Sequence, residues 1–235
     1  MAEISGLLKV DTELLYRFNA LGELILATIP SNRYVKKGDV LAGTRTIPVV
    51  VKEDLLKKAE AICKERPIVT IRPISSRRIH LVVTGSEVFS GRIKDGFEPV
   101  VRRKVGEMGS DLEAVKFAPD DPVKIAAHIR DSYQAGAELI LVSGGMSVDP
   151  DDQTPEGIRQ SGAKVECHGF PILPGSMFVM AYLKETPILG LSGCVLHDPV
   201  TAFDLLLPRV LAGEKVSRSD IIALGHGGLQ RKLDH

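Results

Sequence analysis

The sequence predicts an α/β fold: a three-layer α/β/α domain with a mostly parallel sheet, preceded by a small α+β or β-rich N-terminal module. Two observations lead there. Over residues 79–211, short apolar, β-branched runs alternate with amphipathic stretches at short intervals, which suits a parallel sheet with helices on both faces. Several of those runs end in loops of glycine and acidic residues, on the edge where such sheets bind ligands.

The first stretch, 1–76, reads differently from the rest. Glu23 to Ile29 has strand character. Val35 to Ala42 carries a Lys-Gly-Asp turn between apolar residues, a hairpin-like signal. Val49 to Val51 extends the β character. Lys52 to Arg66 is predicted helical, with Leu55, Leu56, Ala59 and Ile62 at helical spacing, and Pro67 stops it. Ile68 to Ile74 is a strand. No part of this module has catalytic spacing, so a structural or oligomerisation role is expected. A soft boundary falls at Ser75-Ser76-Arg77-Arg78, which gives segments 1–76, 77–212 and a C-terminal extension, 213–235.

The second segment opens with a strand, Ile79 to Val83, followed by Thr84-Gly85-Ser86-Glu87. Phe97, Val100, Val101, Val105 and Met108 form one face of a helix, stopped by Gly109. Leu112 to Phe117 is a strand. Asp120-Asp121-Pro122 caps a helix that runs to Gly136. Glu138 to Val142 is a buried strand. The loop Ser143 to Pro155 follows, and Thr154-Pro155-Glu156 has the form of a helix start with Thr as N-cap. Strands are expected near Val165 to Cys167 and at Pro187 to Leu191. Asp198 is expected to cap a last helix, Pro199 to Leu211.

The loop 143–155 organises the chemistry. Gly144 and Gly145 allow φ > 0 and a close backbone approach, and their N–H groups can meet an anion. Asp149, Asp151 and Asp152 have the opposite sign. A metal-bound phosphate compound satisfies both, while an acidic solvated turn is the alternative.

Composition bounds the rest. Thirty basic residues offset thirty acidic ones, so charge favours neither nucleic acid nor an anionic membrane as partner. The three cysteines are widely spaced and show no disulfide or metal-ligand pattern, so a reducing cytoplasm is the expectation. No signal peptide is read at the N-terminus, and no apolar run is long enough to span a bilayer.

Together, these motifs resemble the molybdopterin-binding domain of molybdenum-cofactor biosynthesis proteins, over about residues 79–212. That family includes molybdopterin adenylyltransferase, molybdenum insertase and gephyrin. Thr84-Gly85-Ser86-Glu87 resembles the family's Thr-Gly-Asp-Glu turn, and Asp120-Asp121 its Pro-Asp-Asp/Glu step. Ser143-Gly144-Gly145-Met146-Ser147-Val148 is similar to the insertase Ser-Gly-Gly-Val-Ser-Val run. Asp152-Gln153-Thr154-Pro155-Glu156 is similar to the adenylyltransferase Asp-Val-Thr-Pro-Glu/Asp run, and Gly190-Leu191-Ser192-Gly193 to a Gly-Leu-Pro-Gly turn.

The resemblance implies roles. The ligand would be molybdopterin or its adenylylated form, with Mg²⁺. Ser143, Gly144, Gly145 and Ser147 would hold the pterin's terminal phosphate, and Thr84, Gly85 and Gly193 would line the same pocket. Asp152, with Asp149, would hold Mg²⁺ or activate water. Glu87 would be a catalytic acidic residue, and Asp120 a second carboxylate. It implies an insertase-like step in cofactor maturation. The alternatives are a non-catalytic carrier serving a molybdoenzyme and a nucleotide pyrophosphatase-like hydrolase on the same fold. A homo-oligomer is implied, because related proteins are dimers or trimers.

The chain departs from the family in three places. Ser192-Gly193-Cys194-Val195 replaces Pro-Gly-Asn-Pro, Asp95-Gly96 shortens an Asp-Thr/Ser-Asn segment, and Ser86 replaces an Asp. These departures bear on turnover more than on binding. Cys194 is either a soft ligand for molybdenum or a small hydrophobe. His197, Lys36-Lys37, Arg77-Arg78 and Arg102-Arg103-Lys104 read as solvated, and Gly225-His226-Gly227-Gly228 as a flexible tail.

Overall fold

The computed structural model describes residues 1–146 and 152–230. The chain divides into two compact units, with the break between Ile74 and Ser75.

The first unit holds β1 (Gly6–Val10), α1 (Thr12–Asn19), β2 (Leu24–Thr28), β3 (Tyr34–Val35), β4 (Ala42–Thr46), α2 (Glu53–Glu65) and β5 (Val69–Pro73). An antiparallel sheet has the order β3-β1-β5, and β2 pairs with β4 in a separate ribbon. Asp11 caps α1 by accepting from the Leu14 N–H at 2.9 Å. The turn at Lys36–Asp39 is present, with the Asp39 carboxylate accepting from the Lys36 N–H at 2.7 Å. It does not make a hairpin, because the strands it joins lie in different sheets. Val49 to Val51 is not a strand. It has no partner strand, and Val49 is fully exposed.

The second unit contains β6 (Arg78–Thr84), α3 (Ser86–Phe89), α4 (Phe97–Gly106), β7 (Asp111–Ala118), α5 (Pro122–Gln134), β8 (Leu139–Ser143), α6 (Thr154–Gln160), β9 (Lys164–His168), β10 (Val179–Leu183), β11 (Thr186–Leu191), a 3₁₀ turn (Gly193–Leu196), α7 (Ala202–Leu211) and α8 (Arg218–Ala223). One six-stranded sheet has the order β7-β6-β8-β11-β10-β9. The first four strands are parallel. β10 runs antiparallel to both of its neighbours, β11 and β9. Val82, Ile140, Val142 and Ile188 pack with Ile125 and Ile129 of α5 and Ile158 of α6. The alternate strand residues, such as Leu81, Leu141 and Leu189, are equally buried, since α4 and α7 cover the other face. The expected three-layer fold with a mostly parallel sheet is therefore present.

Several expectations need correction. Thr201, not Asp198, caps α7. Its backbone N–H donates to Asp204 at 2.8 Å in a capping box. Thr154 is the first residue of α6, not its cap. Lys104 is buried, not solvated: its ammonium donates to Pro199 O at 3.1 Å and pairs with the Asp204 carboxylate. Arg77 and Arg78 both pair with Glu138, at 3.2 and 3.5 Å. Residues 225–228 are packed: Leu173 N–H donates to Gly228 O at 2.9 Å, and a side chain at Gly228 would collide with Pro171 O. Among the described residues, no helix is long and apolar enough to cross a membrane.

Candidate functional site

Four parallel strands end along one edge of the sheet: β6 at Thr84, β7 at Ala118, β8 at Ser143 and β11 at Leu191. The loops that follow are locked to one another. Gly85, at φ 137°, donates its N–H to Ala118 O at 3.1 Å. The Ser86 N–H donates to Asp120 Oδ2 at 2.7 Å, and the Asp120 N–H donates back to Ser86 Oγ at 3.3 Å. The buried Thr84 hydroxyl donates to Ser143 O at 2.9 Å and lies 2.8 Å from the buried Thr154 hydroxyl.

This lattice explains the glycine pair. Gly144 sits at φ 90°, and a Cβ there would come within 2.2 Å of Thr84 O. Only glycine permits that approach. Gly145 sits at φ 49°. A Cβ on Gly145 would lie 3.0 Å from Thr154 Oγ1, 3.5 Å from Asp152 Oδ1 and 3.6 Å from Asp120 Oδ1. A hydroxyl and two carboxylates from the ends of two loops thus converge over one glycine.

A cleft of about 440 Å³ opens beside this convergence. Gly144, Gly145, Asp152, Ser192 and Gly193 form its polar side. Phe97, Met146, Met177 and Cys194 form its apolar side. Phe97 is held at the start of α4 by Asp95, whose carboxylate accepts from the N–H groups of Phe97 and Glu98, both at 2.8 Å. So the shortened Asp95-Gly96 segment still positions a cleft residue. The first unit has a groove of about 520 Å³ lined by such residues as Ile4, Leu41, Val69 and Ile71. Glu3 is its lone titratable side chain, so the site chemistry lies in the second unit.

Of the residues singled out in the sequence, Thr84, Gly85, Asp120, Ser143, Gly144, Gly145, Asp152 and Gly193 meet at this edge. Two of them are structural within it. Thr84 and Ser143 are buried and hold the loops through the Thr84 hydroxyl and the Ser143 carbonyl. Glu87 is exposed on α3 and does not line the cleft. Ser147 and Asp149 lie outside the described residues. Phe97 and Met177 carry no sequence expectation of a role in the site, and Ser192 is marked only as part of the Gly190-Leu191-Ser192-Gly193 turn. Asp95-Gly96 reads only as a shortened family segment with no role for Phe97, and nothing local marks Met177.

Asp120 commits Oδ2 to the Ser86 N–H and presents Oδ1 toward Gly145, as Asp152 does with its own Oδ1. Two carboxylate oxygens suit a hard cation that keeps waters or phosphate oxygens as its other ligands. Among the described residues, no group of three or more His, Cys, Asp or Glu side chains forms a closed metal cage.

Comparison with known proteins places the chain. A family model described as "Probable molybdopterin binding domain" matches residues 80–212, more than half of the chain. The chain is 26% identical over 153 residues to a molybdopterin molybdenumtransferase of Synechococcus elongatus, covering 61% of this chain and 38% of that protein. It is 36% identical over 87 residues to a CinA-like protein of Mycobacterium leprae, covering 37% and 20% respectively. The matches thus span well under half the length of these curated relatives. The crystal structure of a molybdopterin biosynthesis enzyme, MoaB, from Thermus thermophilus superposes with a TM-score of 0.50 at 23% identity, covering 59% of this chain and 98% of that one. That likeness is one of fold. The extent of the family match, on a sheet of this topology, means that the chain belongs to the molybdopterin-binding domain family.

Proposed function

We propose that the second unit binds molybdopterin, or its adenylylated form, in the cleft at the sheet edge, and acts in an insertase-like step of cofactor maturation. The approach of Asp152 Oδ1 and Asp120 Oδ1 to Gly145 carries this reading. The ligand's phosphate would lie against the Gly144–Gly145 backbone, where no side chain stands in the way. Phe97, Met146 and Met177 would shelter its ring system from water. Mg²⁺, when bound, would supply charge neutralisation at the phosphate. Asp120 and Asp152 would hold it, and Asp120 is already oriented by the Ser86 N–H. Such an enzyme converts adenylylated molybdopterin and molybdate to cofactor and AMP.

A second reading is a non-catalytic carrier that delivers cofactor to a molybdoenzyme. Glu87 supports it, because that acidic residue stands off the cleft. Calorimetric titration with molybdopterin, with and without Mg²⁺, tests the site. Asp152→Asn should weaken Mg²⁺-dependent binding and lower any turnover by one to several orders of magnitude, roughly the scale of losing an electrostatic catalytic group. Equal affinity and equal Mg²⁺ dependence would remove Asp152 from the site. AMP release separates the two readings: a carrier binds stoichiometrically and releases none. We also propose a homo-oligomer, in which the first unit serves packing. A strictly monomeric mass by light scattering would defeat that.

A further inference from the structure

The family match ends at residue 212, yet the chain continues through α8 and residues 224–230. That continuation is anchored at its near end. Arg209 of α7 is 5% exposed; it donates through Nε to Glu214 at 2.7 Å and through Nη2 to Asp220 at 2.8 Å. Asp220 also closes the capping box of α8 with Ser217. A guanidinium shared by two carboxylates fixes both in direction as well as distance.

The far end closes on a loop of the cleft. The Leu173 N–H donates to Gly228 O at 2.9 Å, and the Gln230 N–H returns to Leu173 O at 2.7 Å, so that Leu229 bridges Leu173. The approach is close. A Cβ on Gly228 would lie 2.1 Å from Pro171 O, and one on Gly225 would lie 3.5 Å from Pro171 Cβ.

The clasped loop, 169–178, joins β9 to β10 and lies inside the matched family domain. Its two arms are drawn together. The Phe170 N–H donates to Ser176 O at 2.8 Å, and the Gly169 N–H donates to Phe178 O at 3.0 Å. The buried rings of Phe170 and Phe178 touch, with centroids 5.1 Å apart. Gly175 rests on the start of α7, where a Cβ would lie 3.0 Å from the Ala202 nitrogen. Met177, partly exposed in the cleft wall, stands between Ser176 and Phe178. The clasp therefore reaches Met177 through Pro171, Phe170 and Ser176.

We propose that residues 224–230 are a strap that positions Met177 in the wall of the ligand cleft, with Gly228 and Gln230 as its positioning residues. The inference rests on the reading of that cleft as the pterin site and adds a determinant of its affinity outside it. Surface loops are ordinarily the mobile parts of a domain. A loop ordered before the ligand arrives spares binding the cost of ordering it. The C-terminal extension thus acts on the cleft without touching the ligand.

The test uses the full chain. Gly228→Ala sets a methyl group against Pro171 O, and Gln230→Pro removes the N–H that donates to Leu173 O. Neither residue lines the cleft, and thermal melts check that the fold is kept. The first readout needs no ligand. Mild peroxide oxidation, followed by peptide mass spectrometry, compares Met177 with Met108, which is also partly exposed but lies beyond the far end of α4. Both variants should speed Met177 oxidation about threefold or more and leave Met108 unchanged. The second readout is titration with molybdopterin. Each variant should weaken binding about three- to tenfold, roughly the scale of ordering one or two side chains on binding. In a Met177→Ala background the same changes should cause no further loss, because the strap acts through that side chain. Should Gly228→Ala misfold, Gln230→Pro carries both readouts. Unchanged Met177 oxidation would overturn the proposal. So would equal acceleration at Met108, unchanged affinity in the variants of a parent that binds, or an undiminished loss in the Met177→Ala background. A parent that binds no molybdopterin would sink the pterin reading instead, and the oxidation rates would then decide whether the strap positions Met177.

Discussion

The hydroxyls of Thr84 and Thr154, 70 residues apart, lie 2.8 Å from each other inside the second unit. Thr84 has one hydroxyl proton, and it goes to Ser143 O at 2.9 Å. Thr154 is therefore the donor to Thr84. A chain of two hydrogen bonds ties the end of β6, the end of β8 and the first turn of α6 directly beneath the glycine pair.

That order makes the two threonines unequal. Thr84→Val leaves Ser143 O and the Thr154 hydroxyl buried without partners. It should destabilise by roughly 1–3 kcal/mol, the desolvation penalty of an unsatisfied group. Thr154→Val removes only the last donor and should cost about 1 kcal/mol. Urea unfolding of both variants checks the order. Equal effects would contradict the donor assignment.

Gly157 lies inside α6, where alanine is favoured by about 1 kcal/mol on helix propensity alone. Its position forbids the gain. A Cβ there would lie 2.6 Å from Ile125 Cγ2, where α6 crosses α5. Gly157→Ala should destabilise by roughly 1–3 kcal/mol through overpacking. Gly106, at the end of α4, has open space around its Cβ position. Gly106→Ala should instead stabilise by about 0.5–1 kcal/mol. Thermal melts of the pair should shift in opposite directions.

Tyr182 gives the second unit an alkaline limit. Burial pushes its hydroxyl up to about 12, partly offset by the hydrogen bond with the Val216 backbone. The unfolded value is about 10. The unfolded chain thus loses its proton first as pH rises, so the tyrosine's contribution is intact below about 10 and is lost between there and about 12. The loss should be on the order of 2–3 kcal/mol. Tyr182→Phe should flatten this decline. It should also lower stability at neutral pH, because the Val216 N–H, which donates to Tyr182 Oη at 2.7 Å, is left unpaired. Denaturant midpoints from pH 8 to 12 read both effects.

Lys104 and Asp204 join α4 to the N-terminus of α7, with side chains only 5% and 19% exposed. Lys104→Met strands the carboxylate and should cost about 3 kcal/mol. Asp204→Asn keeps much of the capping geometry at Thr201 but strands the ammonium. The double variant removes both charges, so it should cost less than the two single changes added together. A double-mutant cycle by chemical denaturation measures the difference. Simple additivity would mean that the pair does not couple.

Where the sequence was legible, local pattern and tertiary structure agreed. The run Glu138 to Val142 became the central strand β8, and Asp121-Pro122 became the capped start of α5. β10 was missed although Val179 to Leu183 is apolar, because its turn into β11 uses Lys184 at φ 54° instead of glycine or asparagine. Lys104 looked solvated because its partner stands 100 residues further on. Thr154 looked like a helix cap, the usual local use of threonine, but its hydroxyl is taken by Thr84 across the sheet edge. The polar half of the site was legible because it depends on glycine and aspartate at strand ends. Of the apolar side, Cys194 and Met146 stand in loops the motifs marked, whereas Phe97 and Met177 reach the cleft from α4 and from the segment before β10, which no local pattern ties to it.

The pairing of β8 with β11 has a consequence for the order of folding. β11 lies beside β8, but β9 and β10 come between them in the chain. The β10–β11 hairpin is local and can close within microseconds. Its docking along β8 must wait for a much longer loop to close. Gly144 to Met146 and Ser192 to Cys194 face one cleft only after that late step. A chain emerging from the ribosome would therefore carry a nearly complete parallel sheet before it could recognise any ligand. Whatever binds in the cleft would clamp the last seam to close and slow its reopening more than that of any earlier one.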